Sequence, residues 1–385
     1  FSAEALLMPD TYFFSDKQDL IKVLNNSKTY LDKYLEDSWS QKPKDNPLQS
    51  PHEALVLASI IEREALLPSE QEKILKDLVI QCKKNKLRPV FSLSPGMKLI
   101  KFTKHEKRNL FSKIKQAKKI GFKDFAIFFD DIDHNRNESL AASHLEIIDL
   151  IRSICSEQNS KLMVCPTVYC KSFAKGNLNT NDYLKTLSKG IDPSISILWT
   201  GNEVVSESIT KKDLKELQSL FANPIIIWDN YYANDYCPFK FYIGPLNGRK
   251  SIYSEIEGLG INPTGLPLTD MICLTRLMTD KTDKQIINEF KIPKEFKRVI
   301  PYFSSPFKDL PTLSVKEIDK ILETQEVLCV NWKSNLQLEW APFLWQFYSD
   351  LRLLKKTKSK DGKFNLEEWL KRRYSDPLVK TVLRN

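Results

Sequence analysis

The sequence predicts an α/β fold built on a parallel sheet, and two patterns carry that expectation. Short apolar runs alternate with stretches of helical period from about residue 70 onward. Each run is apolar throughout rather than at every second position, as expected of strands covered on both faces. Five such units in succession suit either a doubly wound sheet or a (β/α)8 barrel. No GxGxxG follows any of the runs, so a dinucleotide fold has no support.

The elements follow in order. EQEKILKDLVIQCKKNK (70–86) has helical period, and RPVFSLSPG (88–96) is a short strand ending in Pro-Gly. HEKRNLFSKIKQAKKIG (105–121) predicts a helix closed by Gly121, and KDFAIFFDD (123–131) the next strand. NESLAASHLEIIDLIRSICSE (137–157) and TNDYLKTLSKG (180–190) read as helices on either side of the strand KLMVCPTVY (161–169). ISILWTG (195–201), TKKDLKELQSLFA (210–222) and PIIIWDN (224–230) continue the alternation, and a sixth strand is expected near EGLGINP (257–263). Beyond 265 the rhythm stops. SVKE (314–317) is a capping-box sequence, and NLQLEWAPFLWQFYSDLRLLKK (335–356) and NLEEWLKRRY (365–374) are helical, with aromatics that suit a core. The expected domains are a helical segment over 1–69, a (β/α) domain over 70–265 and a helical region over 266–385.

Composition narrows the function classes. With 385 residues, 42% apolar and 28% charged, the chain can bury a large core and is not disordered. The net charge of +9 comes from short lysine-rich runs at 82–86, 98–108 and 353–360. None is interleaved with the aromatics that a nucleic-acid stacking platform uses, so they read as solvated faces. No apolar stretch is long enough to span a bilayer. No signal peptide is read at the start, which is Phe1 rather than Met. Seven cysteines form no CxxC pair, and Cys155, Cys165, Cys273 and Cys329 sit in apolar contexts that suit buried thiols and a reducing compartment. The four histidines show no metal-ligand spacing, so neither metal nor cofactor is expected.

Both candidate architectures place function at the carboxyl ends of the strands. There the sequence has Ser94-Pro95-Gly96, Asp130-Asp131, Thr167-Val168-Tyr169, Trp199-Thr200-Gly201, Trp228-Asp229-Asn230 and Asn262-Pro263. Aromatic faces beside carboxylates and amides suit a sugar, whose ring stacks and whose hydroxyls hydrogen-bond. Adjacent carboxylates do not fit the usual retaining pair, whose groups stand about 5 Å apart on separate strands. They do fit a substrate that carries a 2-acetamido group. The acetamide oxygen attacks the anomeric carbon, one aspartate polarises the acetamide N–H, and the other protonates the leaving oxygen and then activates water.

FAIFFDDID (125–133), CPTVYC (165–170), LWTGNEVVS (198–206), IIWDNYYANDY (226–236), GPLNGR (244–249) and GLGINP (258–263) occur in this order. Together they resemble glycoside hydrolase family 84, the O-GlcNAcase and bacterial β-N-acetylglucosaminidase family, over about residues 70 to 355. The resemblance implies a (β/α)8 (TIM) barrel, here lacking the counterparts of its first two strands, and a retaining, substrate-assisted hydrolysis. It implies that Asp130 polarises the acetamido group, that Asp131 is the general acid/base and that Tyr169 bonds the reacting acetamide oxygen. Asn230 would fix the N-acetyl group, Asp235 the outer hydroxyls with Asn262 beside it, and Trp228 would wall the acetamide pocket. Val204 and Tyr236 would lie near the sugar, and Asp229 takes a structural role. The implied partner is an N-acetylglucosamine-containing glycan or glycoprotein, with hyaluronan as a variant substrate and no nucleic acid. KPKDNP (42–47) is similar to the segment whose lysine contacts the sugar, which would be Lys44, although no apolar strand precedes it.

Residues 1 to about 70 resemble a different family. LLMPDTYFFS (6–15) and SPHEALVLASIIEREA (50–65) are similar to the endolytic murein transglycosylases, whose catalytic acid corresponds to Glu62. Two alternatives therefore stand beside the glucosaminidase: a carbohydrate-binding remnant impaired in turnover, and a peptidoglycan lytic transglycosylase centred on Glu62.

Overall fold

The computed structural model describes residues 68–95, 103–130, 132, 136–155, 160–235, 237, 240–308 and 313–358, with Thr29, Asp32, Lys33, Glu36 and Ser40 as helical residues. Glu62, Lys44, Gly96 and the stretch 365–374 lie outside the described residues. The chain divides into two compact units between Leu87 and Arg88. In the first, helix α1 (Pro68–Lys84) ends in Lys83 and Lys84, which complement the negative end of its dipole.

The second unit holds one six-stranded sheet: β1 (Val90–Leu93), β2 (Asp124–Phe128), β3 (Leu162–Cys165), β4 (Ser196–Trp199), β5 (Ile225–Asp229) and β6 (Gly258–Ile261). All pairings are parallel and the spatial order is β1-β2-β3-β4-β5-β6. That order decides between the two architectures. A doubly wound sheet reverses its strand order at a switch point, whereas a barrel adds each strand beside the last. The sheet is a partial (β/α) barrel, and among the described residues β1 and β6 each pair on one side only.

Helices α2 (Lys104–Ile120), α3 (Glu138–Ile154), α4 (Asp182–Gly190) and α5 (Lys211–Leu220) connect the first five strands. Their starts are written in side chains. Thr103 and Glu106 form a reciprocal capping box on α2, as do Thr210 and Asp213 on α5. Asn137 and Asn181 accept from Leu140 N and Leu184 N. Gly121 closes α2 in the left-handed region at φ 117°. On α2, Leu110, Ile114 and Ala117 recur at spacings of four and three and are buried, as one face of a helix must be. Burying Leu110 or Ile114 stabilises the fold by roughly 1.5–3 kcal/mol each.

Helices α6 (Pro267–Met278), α7 (Asp283–Glu289), α8 (Val315–Glu326) and α9 (Asn335–Lys358) follow the sheet. The expected capping box at 314–317 is present, with Ser314 and Glu317 reciprocally bonded. Residues from Tyr231 to Leu354 share one aromatic core, in which Phe241 stacks on the fully buried Trp340 at 4.6 Å. This is the core role expected of the aromatics in 335–356. Helix α6 has no side-chain cap of its own. Glu339 of α9 supplies it, its carboxylate accepting from Leu268 N at 3.0 Å and Thr269 N at 2.7 Å. All seven cysteines are free thiols, and Cys155, Cys165, Cys273 and Cys329 are buried as their contexts implied. No described helix is long and apolar enough to cross a membrane.

Candidate active site

The alternation of β5 fixes the site's polarity. Ile225, Ile227 and Asp229 are buried, whereas Ile226 and Trp228 are half-exposed. Successive side chains point to opposite faces. Trp228 and Asn230 therefore face the barrel interior while Asp229 faces away. On β2 the same parity sends Phe128 and Asp130 inward and the fully buried Phe129 outward.

At the carboxyl end of the strands the inward residues line a pocket of about 270 Å³. Its lining includes Asp130, Tyr169, Val204, Trp228, Asn230, Asp235 and Asn262, seven of the residues singled out from the sequence. Asp131 and Tyr236 lie outside the described residues. Phe128, Cys165, Thr200, Val205 and Ala233 complete the lining and were not among the expected site residues. The signal for them is register: Phe128 pairs with Cys165 across β2 and β3, and all five fall inside the quoted motifs. Among the described residues of this lining there is no lysine or arginine. The described lining residues supply two carboxylates, two side-chain amides and aromatic surface, a set that suits a polyhydroxy ligand.

Asn230 is held by three hydrogen bonds. Its Oδ1 accepts from Trp228 Nε1 and from Asn262 Nδ2, both at 3.1 Å, and its Nδ2 donates to the Val204 carbonyl at 2.8 Å. Trp228 also meets Phe128 edge-to-face at 5.5 Å. Tyr169 is buried on the pocket floor, edge-on to Phe173 at 5.0 Å. Its carbonyl accepts from Thr200 N at 2.9 Å.

The loop that carries Val204 is tied to itself. Ser206 Oγ donates to the Thr200 carbonyl at 2.9 Å and accepts from Glu203 N at 3.1 Å. Gly201 sits at φ 104°, and a Cβ there would lie 2.5 Å from Ser206 Oγ. Only glycine fits that position on both counts.

Behind Asp130 stands a buried polar network on the outer face. The Phe129 carbonyl accepts from Thr167 Oγ1 at 2.7 Å, and Thr167 N donates to Tyr183 Oη at 3.1 Å. Tyr183 Oη is 3.0 Å from His144 Nδ1, and the His144 ring stacks on Phe129 at 3.8 Å. Tyr183 Oη accepts from Thr167 N, and its contact with His144 Nδ1 can be made by either tautomer of the neutral imidazole. Burial pushes His144 down to about 3, consistent with that form, and pushes the Tyr183 phenol above its usual range.

Asp229 has the structural surroundings expected of it. It is buried, accepts from Tyr231 N at 3.0 Å and pairs with the buried Arg249 Nε at 2.8 Å.

Comparisons with known proteins agree with this geometry. The beta-N-acetylglucosaminidase family profile matches residues 62–305, and the YceG-like family profile matches residues 1–76. Over 202 residues the chain is 31% identical to the protein O-GlcNAcase of Mus musculus, covering 50% of this chain and 22% of that protein. It is 30% identical to the protein O-GlcNAcase of Rattus norvegicus over the same length and shares. The chain thus spans about a fifth of the length of these curated relatives. A mutant form of the O-GlcNAc hydrolase of Thermobaculum terrenum has a similar fold, with a TM-score of 0.60 and 19% identity over 84% of this chain and 80% of that one. The profile match takes in every described residue of the pocket lining, and the chain belongs to the beta-N-acetylglucosaminidase family of glycoside hydrolases.

Proposed function

We propose that the chain is a retaining β-N-acetylglucosaminidase that uses the substrate's own 2-acetamido group as nucleophile. The observation that carries this reading is the convergence of seven motif residues on one small pocket. Its volume, about 270 Å³, is near the lower limit for ligand sites and suits one sugar ring. In this mechanism Asp130 accepts the acetamide N–H and raises the nucleophilicity of its carbonyl oxygen. Tyr169 donates to that oxygen as it closes on the anomeric carbon. Asp131 gives its proton to the leaving oxygen and then takes one from the incoming water. Two inversions at the anomeric carbon give net retention. Asn230 and Trp228 hold the acetamide, and Asp235 and Asn262 bind the ring hydroxyls. The fold is then a (β/α)8 barrel without the counterparts of its first two strands.

One observation favours a second reading. Among the described residues β1 and β6 are paired on one side only, as in a barrel left open by those missing strands. Such a chain would bind the sugar and fail to turn it over.

Turnover of para-nitrophenyl N-acetyl-β-glucosaminide by wild type, Asp130→Asn and Asp131→Asn tests both. The proposal expects hydrolysis by wild type and its loss in both variants. Hydrolysis that survives Asp131→Asn unchanged would overturn it. Saturable sugar binding without hydrolysis by folded wild type would favour the second reading.

A further inference from the structure

We propose that Arg249 is a positioning residue that sets the width of the compartment holding the 2-acyl group. The inference rests on the glucosaminidase reading and goes beyond it, since Arg249 lies outside the pocket lining.

Two walls enclose the compartment. One is the end of β5, which presents Trp228 and Asn230. The other is the loop from Thr200 to Ser206, which presents Val204. Inside the pocket they are joined by the single bond from Asn230 Nδ2 to the Val204 carbonyl. Outside it they are joined by Arg249, which is fully buried. Its Nε donates to Asp229 Oδ2 at 2.8 Å and one terminal nitrogen lies 3.3 Å from Asp229 Oδ1, which secures β5. The same nitrogen donates to the Ser206 carbonyl. The other donates to the carbonyls of Glu207 and of Asn247, the latter at 2.8 Å. One planar group therefore grips the strand wall and the foot of the loop wall together.

The residue type follows from this geometry. Five acceptor oxygens gathered around one side chain match the five N–H donors of a guanidinium, whereas an ammonium is a point donor with three. The approach is close as well. Gly248, at φ 73°, lies so near the segment after the loop that a Cβ would stand 2.7 Å from Ser208 Cβ. The segment GPLNGR thereby has a physical task. It carries the arginine to the back of the acetamide wall, on the side opposite the ligand.

The test compares N-acetyl and N-butanoyl para-nitrophenyl β-glucosaminides, measuring kcat and KM separately. Binding of the corresponding methyl glycosides is followed by calorimetry. The variants are Arg249→Lys, which keeps the charge and loses the fork, and the double substitution Arg249→Met with Asp229→Leu, which leaves no unpaired buried charge. The two variants together keep the test alive if one fails to fold. The expected result is a contraction of the N-acetyl to N-butanoyl preference in kcat/KM by about tenfold, a change of the size that one or two methylenes command in a fitted pocket. The N-acetyl substrate should lose kcat while KM for the N-butanoyl substrate falls. Equal losses on both substrates would mean a merely structural role and overturn the inference. Unchanged preference would overturn it too, and would leave the glucosaminidase reading standing. Wild type that neither binds nor hydrolyses either sugar would end both.

Discussion

The two faces of the sheet solve opposite problems with neighbouring residues. On the outer face Phe129, Asp229 and their partners are buried, and every polar group described there has a hydrogen bond. On the inner face, one residue along, Asp130 and Asn230 line an open pocket. The pleat separates Asp229 from Asn230 more effectively than distance could. Asp229 pairs with the buried Arg249, whereas Asn230 lines the pocket. The comparison teaches that the inner face is held from behind, through backbone whose outward side chains are buried and hydrogen-bonded.

Substitutions on the two faces should therefore split stability from activity. The largest effect belongs outside. Asp229→Leu leaves the Arg249 charge buried and unpaired and should cost about 3–5 kcal/mol in urea unfolding. A loss under 1 kcal/mol would break the comparison. Inside, Asp130→Asn should lower kcat by about 10²–10³-fold, equivalent to roughly 3–4 kcal/mol of barrier, if it removes one charge-stabilising partner of the reacting group. Its urea midpoint should stay near wild type, and a large fall there would erase the distinction between the faces.

The outer face should also be sensitive to acid. His144 has a folded pKa, about 3, below its unfolded value near 6.5. The unfolded state thus binds more protons between those values, so stability falls as pH drops through 6.5 towards 3. From pH 7 to pH 5 the loss should be about 2 kcal/mol, measured by urea titration at each pH. His144→Gln should flatten that slope, and a slope that persists would assign it to other groups. The smallest effect expected is that of Thr167→Val, which strips the Phe129 carbonyl of a buried donor and should cost about 1–2 kcal/mol. A parallel decline in kcat would sharpen the comparison by showing that Asp130 feels what happens behind it.

Much of this was legible beforehand, for a physical reason. Each of the six strands was readable as an apolar run, and strand ends in parallel sheets are where ligands bind. The expected runs overshoot the observed strands, as in 161–169 against Leu162–Cys165. The chain stays buried past its last ladder bond, through Thr167 and Val168, so an apolar run does not mark where pairing stops. The structural role expected of Asp229 fits its burial against Arg249. The choice between barrel and doubly wound sheet was not readable from the runs themselves, because strand order is a long-range property. Nor were the partners Arg249 and Asp229, or His144 and Tyr183, since 20 and 39 residues separate them.

The borrowed cap on α6 has a bearing on how the molecule folds. Glu339 reaches across 70 residues to satisfy amides at the start of a helix that follows β6 directly. Trp340 beside it donates to Thr269 Oγ1 at 2.8 Å. A fragment cut after α6 would leave those donors open and strip most of the aromatic core that begins at Tyr231. The sheet and the helices behind it should thus melt in one cooperative transition. Contacts of such long sequence separation also close late and make folding slow. Independent melting of the two parts would mean that this long-range cap is dispensable.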